Sequence, residues 1–582
     1  MRPPLAATLA LVLLAGSALA NGVEERPATG SSDAAPEAVQ DSGMRSELFY
    51  QLLVGELQVS QGQPGAGFSL MLETARKQKR SELFRRAVEI ALQARSGESA
   101  LQAARAWTES QPRSAEAQRF VLQILLALNR PAELGVPLRA LLRLTPVEQR
   151  QDLIVALPQT LARLNDKDAA LKAASPMLED AVRQPRLAAA AWSSLGRLQL
   201  AAGQKQRALE SGQKAAAVGS QSPLPAWLAL LLFEQQQLGA EQLLLRWLEQ
   251  ASGTDSHRIR LEYARLLTDR QRKQDASRQL EILTRERPEV AEPWLLTGLL
   301  ALQSGRLDDA ASSLQRYLSL QPAEAAGRGR TQARLLLSET AEKQGRLDAA
   351  LNWLEQIDDD EAMPAVQTRR ALLLGRQGRL PEARSLLRKL PAENPADERR
   401  NLLAEAQLLR ELGRHDDALE VYAQAMQRFP EDSDIAYERA MVAEKAGRFD
   451  EMERLLRGLI ARAPDYGHAY NALGYSLADR NQNLEEAREL IRRALVLLPD
   501  DPFTQDSLGW VEFRLGNLAE ARRVLEAAFE KRTDAEIAAH LGEVLWAQGE
   551  REAARRIWQR GLQLQPENEA LLRTLRRLQV NP

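Results

Sequence analysis

Residues able to do chemistry are few in this sequence and badly spaced for it. Its four histidines are His257, His415, His468 and His540, no two within a helical turn, so neither an HxH nor an HExxH pair exists. There is no cysteine, which excludes disulfides, thiolate catalysis and most structural zinc sites. No GxxxxGK[ST] loop and no GxGxxG following a strand occurs. The run Asp358-Asp359-Asp360-Glu361 lacks the glycine and spacing of a calcium loop and reads as a solvated turn between helices. Serines are many, but no base is placed to activate one, so the lone histidines read as packing or surface residues. The sequence therefore predicts no catalytic residue, no metal site and no cofactor.

With chemistry set aside, composition describes a scaffold. The sequence has 582 residues, too many for one compact core, so several domains or a repeat array is expected. Apolar residues make up 44% and charged residues 27%, an ordinary globular balance. Ala, Leu, Arg, Glu and Gln dominate, and these strong helix formers point to an all-α chain. Lys and Arg number 77 against 79 Asp and Glu, so no global field exists to attract nucleic acid or anionic lipid.

The N-terminus reads as a targeting segment. A single arginine, an apolar run over 5–15 and then Ala18-Leu19-Ala20 give the three parts of a signal peptide over 1–20, cleaved after Ala20. Leu14-Ala15-Gly16 resembles the front of a lipobox, but Ser17 stands where the lipidated cysteine would be and cannot form the thioether. A periplasmic location without a lipid anchor is expected. Residues 21–45 are small, polar and proline-containing, a flexible polar leader. No later stretch is apolar enough to span a membrane.

From residue 46 the sequence repeats. A small residue suited to a helix crossing recurs at Ala276, Ala310, Ala349, Ala383, Ala418, Ala487, Ala521 and Ala554, with Met452 filling the missing slot. Successive spacings are 33 to 35 residues, apart from one of 39. Prolines such as Pro288, Pro322, Pro430, Pro464, Pro499 and Pro566 end units, because proline cannot continue a helix. Glycine turns such as Gly305-Arg-Leu, Gly345-Arg-Leu, Gly378-Arg-Leu and Gly447-Arg-Phe break each unit into two helices.

These positions resemble the tetratricopeptide pattern of an aromatic, Leu-Gly, a small residue, an aromatic or Leu, a further Ala and a Pro. Tyr470, Leu473-Gly474, Ala487, Ala494 and Pro499 carry it with one inserted residue; Trp294, Gly298, Ala310, Tyr317 and Pro322 carry it without insertion. Trp192, Leu195-Gly196 and Ala208 fit, as do Leu541-Gly542, Ala554, Trp558 and Pro566. The resemblance covers 47–568, about fifteen helix pairs, and implies a right-handed helical solenoid of helix-turn-helix repeats. It divides into divergent repeats over 46–188, a central array over 189–466, well-matched repeats over 467–568, and a capping helix and tail over 569–582. The stretch 147–188 fits worst, since Pro158 and Pro176 are expected to interrupt its helices.

The runs YNALGYSLADRNQNLEEA, DSLGWVEFRLG and AAHLGEVLWAQG, within 467–579, resemble Gram-negative envelope tetratricopeptide proteins that serve as adaptors of a C-terminal-processing (tail-specific) protease. Members of that group are outer-membrane lipoproteins, and this chain departs from them at Ser17. The resemblance implies a non-enzymatic envelope adaptor that brings a processing protease and its substrates together, cell-wall hydrolases among them. The alternative is a general assembly scaffold for a secretion or polysaccharide-export complex. An enzyme with an unrecognised site is disfavoured by the missing nucleophile and base.

In such repeats the first helix of each unit lines the groove through its positions 2, 5, 9 and 12. In the last three units these are His468, Asn471, Tyr475 and Ala478; Phe503, Asp506, Trp510 and Phe513; Glu536, Ala539, Glu543 and Trp546. Asn471, Tyr475, Asp506, Trp510, Phe513, Glu543 and Trp546 are thus the candidate protein-binding residues. Two readings stay open: the aromatics grip a partner, or they pack between adjacent helices. The paired Lys and Asn of a carboxylate clamp are absent.

The signal-peptide reading predicts a mature chain beginning at Asn21 and released with the soluble envelope fraction. N-terminal sequencing of that fraction checks it, and an intact Met1 terminus recovered from the cytoplasm would refute it.

Overall fold

Alanine and leucine at helical spacing, broken by a left-handed turn about once per repeat, make helix pairs the natural structure for this chain. The computed structural model describes residues 46–322, 327–359 and 362–581. Among them are 31 α-helices, two short 3-10 turns and no strand. In sequence order the helices form fifteen helix-turn-helix pairs, from Ser46–Ser60 with Pro64–Gln78 to Ala535–Ala547 with Arg551–Leu564, followed by one last helix, Glu569–Leu578. The chain divides into two compact units, residues 1–300 and 301–582. The proposed signal peptide, Ser17 and the leader over 21–45 lie outside the described residues.

Within each unit of structure the same local physics recurs. The turn inside a pair needs one residue at positive φ, supplied for example by Gly447 at φ 72° and Gly516 at φ 88°. Asn129, Gln271 and Asn481 fill that turn without glycine, at φ 53°, 59° and 56°. At the crossing beyond it, Ala276, Ala310, Ala383, Ala418, Ala487, Ala521 and Ala554 are fully buried, as is Met452. Ala350, not Ala349, occupies this slot in its unit: Ala350 is fully buried and Ala349 only half-buried. The Leu-Gly of the repeat marks an equally close approach. A methyl group on Gly542 would lie 2.2 Å from Trp558 Nε1, and one on Gly509 would lie 2.4 Å from Leu525 Cγ.

Pro158 and Pro176 do not interrupt their helices, which run through them as Arg150–Leu161 and Lys167–Val182. Proline 158 removes the N–H that would have bonded the Ile154 carbonyl, and the buried Ser194 hydroxyl donates to that carbonyl instead, at 2.8 Å. The poor fit of this stretch has another cause. Its two helices barely touch; Lys167–Val182 packs instead on Gly135–Leu144 and Ala188–Ala201.

At the other end, Glu569–Leu578 buries Leu571 and Leu575 and exposes Arg573, Arg576 and Arg577. Asn568 caps it by accepting from the Leu571 N–H at 3.0 Å. This helix closes the apolar face that Ala535–Ala547 would otherwise present, as a terminal repeat must.

Replacing Ala521 with Leu should overpack its crossing and cost about 1–3 kcal/mol. Because the stabilising contacts are between neighbours, limited proteolysis should begin in 502–531 and spare 395–462. Simultaneous cleavage throughout 301–582 would contradict the nearest-neighbour account.

Candidate functional site

The predicted groove residues sit on three successive first helices, Gly467–Asp479, Pro502–Arg514 and Ala535–Ala547, each packed on the next and the third on the final helix. Their side chains converge on a residue that the sequence reading left aside. His540 is 4% exposed, and its Nδ1 lies 2.9 and 3.0 Å from the two carboxylate oxygens of Asp506. Its ring stacks on Trp510 at 4.3 Å between centroids and lies 6.0 Å from that of Tyr475. The Tyr475 hydroxyl donates to Glu536 Oε1 at 3.2 Å, so the first helix of one repeat contacts the first helix two repeats on.

Around this knot the remaining candidates take separate places. Trp510 stacks on Phe513 at 5.3 Å. Glu543, buried, pairs with Arg577 of the last helix at 2.5 Å. Trp546 packs on Trp558 at 5.6 Å, and Trp558 donates its indole N–H to the Ala539 carbonyl at 3.3 Å. Asn471 is half-buried, with Oδ1 unpartnered. Asp506, Trp510 and Glu543 are buried; Asn471, Tyr475, Phe513 and Trp546 are half-buried. Of the two readings of the stripe, packing between helices therefore describes Trp510, at 4% exposed, and Tyr475 and Trp546 are open only in part.

The electrostatics of the knot follow from its burial. Burial by itself pulls the His540 pKa down, but the adjacent Asp506 carboxylate, its hydrogen bond, and the charges of Glu536 and Glu543 outweigh that and raise it above the ordinary value. Burial, with Glu536, Asp506 and Asp479 nearby, holds the Tyr475 phenol well above its usual range, so it stays a donor. One signal could have found His540. It follows Asp506 by 34 residues, one repeat, as Arg577 follows Glu543.

The residues weighed for metal chemistry do not gather. Asp358 lies 3.8 Å from Arg334, Asp359 accepts from the Thr331 hydroxyl at 3.0 Å, and Asp360 and Glu361 lie outside the described residues. Among the described residues, no three His, Asp or Glu side chains are grouped to hold a metal ion.

A histidine whose pKa rises on folding stabilises the fold fully below its unfolded pKa of about 6.5, and this is lost as pH climbs through the folded value. Unit 301–582 should therefore melt a few degrees lower at pH 8.5 than at pH 6, about 2–4 °C for each kcal/mol lost. In His540→Gln that difference should shrink; an unchanged difference in scanning calorimetry would remove His540 as its source.

Comparison with known proteins agrees with the geometry. Residues 159–223, 261–328, 453–502 and 507–569 match one tetratricopeptide repeat family and residues 409–474 a second. The chain is similar to a TPR repeat-containing protein of Pseudomonas aeruginosa, 40% identical over 207 residues, which are 36% of this chain and 35% of that protein. It is also similar to human tetratricopeptide repeat protein 7A, 40% identical over 96 residues, covering 16% of this chain and 11% of the relative. The chain thus spans about a third or less of these relatives' lengths. A thermophilic TPR protein of Thermus thermophilus is similar in structure at 25% identity, covering 31% of this chain and all of that one, with a TM-score of 0.29. Tetratricopeptide proteins are protein-interaction scaffolds, and no described helix is long and apolar enough to cross a membrane. Over the residues matched, then, this all-helical chain carries tetratricopeptide repeats.

Proposed function

We propose that this chain is a non-enzymatic protein-binding scaffold of the bacterial envelope, an adaptor that brings a periplasmic processing protease and its substrates, cell-wall hydrolases among them, onto one array. The observation that carries the binding role is the first described helix, Ser46–Ser60. Phe49, Tyr50, Leu53 and Leu57 are 58%, 67%, 46% and 48% exposed and lie at helical spacing on one side of it. Its other side is held: Leu48 and Gly55 are buried, and Glu56 pairs with Arg86 at 2.7 Å. An apolar stripe exposed along one side of a helix is what a helix-docking partner covers.

The protease assignment rests on the likeness of 467–579 to the envelope adaptors and on the expected export of the chain. A similar protein in a bacterium, Pseudomonas aeruginosa, supports the bacterial setting. The many repeats beyond the first helix give a second partner room to bind apart from the first.

The double variant Phe49→Ser/Leu53→Ser should keep its helix content and melting temperature, because both residues are already exposed. In a pull-down from envelope extract it should lose the processing protease at least tenfold, about 1.4 kcal/mol or more of binding free energy. Undiminished recovery of the protease by a folded double variant would sink this docking surface; recovery of none by the unaltered chain would sink the protease assignment.

A further inference from the structure

One aromatic cluster in unit 301–582 stands apart from the knot around His540: two of its rings, Tyr437 and Tyr466, pack on the core from one side, and the third, His468, is exposed. Tyr437, Tyr466 and His468 form a triangle, with ring centroids 5.8, 6.3 and 6.1 Å apart and planes inclined at 51°, 54° and 70°. The rings come from the first helix Ser433–Lys445, the turn after Phe449–Arg462, and the start of Gly467–Asp479. His468 is exposed, and both tyrosines are half-buried. The Tyr466 hydroxyl donates to Asp434 Oδ1 at 2.8 Å, and the Asp434 side chain is 69% exposed.

Four other rings of this unit, with Phe529 buried and the rest exposed or half-buried, carry a cation from the chain itself. Arg480 lies over Phe449, Arg532 over Phe503, Arg551 over Trp546 and Arg560 over Phe529, at 4.8–5.2 Å from ring centre to guanidinium carbon. Among the described residues no lysine or arginine lies over the triangle. The nearest candidate, Arg399, is held by Asp432 at 2.5 Å and reaches Asp434 only at 3.8 Å. Glu438 is paired with Arg410 of the helix Pro395–Glu411 at 2.6 Å.

We propose that Tyr437, Tyr466 and His468, with Asp434 beside them, are a seat for a lysine or arginine side chain of a partner protein. A cation about 3 Å above the triangle would lie about 4–5 Å from each ring centre, within cation–π distance of the three rings. The Asp434 carboxylate then supplies the counter-charge at the rim, where it stays solvated and costs little to approach. Burial first, then the Asp434 hydrogen bond and charge, raises the Tyr466 phenol, and burial with Glu438 and Glu444 raises that of Tyr437, so both hydroxyls stay neutral beside the carboxylates. His468 is position 2 of its helix and Tyr437 lies on the preceding first helix, so the seat opens where first helices of adjacent repeats meet. This inference deepens the scaffold reading and rests on it for the identity of the ligand as a protein side chain.

With only four histidines in the chain, the seat can be watched directly. Full-length protein labelled with 13Cε1-histidine is titrated with acetyl-Lys-Lys-Lys-amide at pH 8, and the His468 signal is assigned by its loss in His468→Gln. A saturable shift of His468 is expected, absent with acetyl-Glu-Glu-Glu-amide, and at least fivefold weaker in Asp434→Asn and in Tyr437→Leu. Asp434 is exposed, so Asp434→Asn keeps the test valid even if Tyr437→Leu fails to fold. No shift at His468, or equal affinity in Asp434→Asn, would overturn the seat. The result for Phe49→Ser/Leu53→Ser involves none of these residues, so failure of the seat and failure of the scaffold reading are told apart.

Discussion

Two helices can approach closely only where neither carries bulk at the crossing, and in this chain one alanine per repeat meets that condition. Ala276, Ala383, Ala418, Ala521 and Ala554 expose nothing to solvent, and Met452 shows that a flexible side chain can be accommodated once. Close approach makes each pair too thin to bury its own apolar surface, so each must stack on the next. The turn glycines, the Leu-Gly contact and the terminal helix all follow from that requirement. Gly542 could not carry a methyl group against Trp558, and Leu571 and Leu575 exist to cover what no further repeat covers.

Stacking also fixes where the polar residues go. Pairs one repeat apart in sequence become neighbours in space, and the chain uses them repeatedly: Arg130 with Glu98, Arg272 with Glu241, Arg448 with Asp416, Arg577 with Glu543. Most are exposed and individually worth little. The Asp506–His540 pair differs because both partners are buried, which makes an unpaired partner costly and the pairing geometry exacting. The knot joins three first helices, so the last repeats are tied by side chains as well as by backbone packing. The two binding surfaces proposed lie where such ties are missing, on the apolar stripe of Ser46–Ser60 and on the rings beside Asp434.

Much of this was legible from the sequence because a repeat writes its structure locally. The alanine spacing, the Gly-Arg turns and the polar-faced final helix each gave the right element. The errors have physical causes. Ala349 and Ala350 are adjacent and equally small, so composition could not choose between them, whereas the distance from the Gly345 turn could. Pro158 stays helical because Ser194, in the next pair, supplies a donor that no local pattern announces. His540 looked isolated because its partner Asp506 is a full repeat away. That Tyr475 would reach Glu536, two repeats on, was likewise not written in any local pattern.

The central claim is that this array holds a protein through surface it leaves uncovered, not through its aromatic knot. Hydrogen exchange of the whole chain, measured by mass spectrometry with and without the partner recovered from envelope extract, tests this most directly. Protection on binding should concentrate in peptides from 46–60 and in those spanning 433–479, while amides of 535–547, already slow, should not change. Protection confined to 502–547, with 46–60 exchanging as in the free chain, would contradict the account.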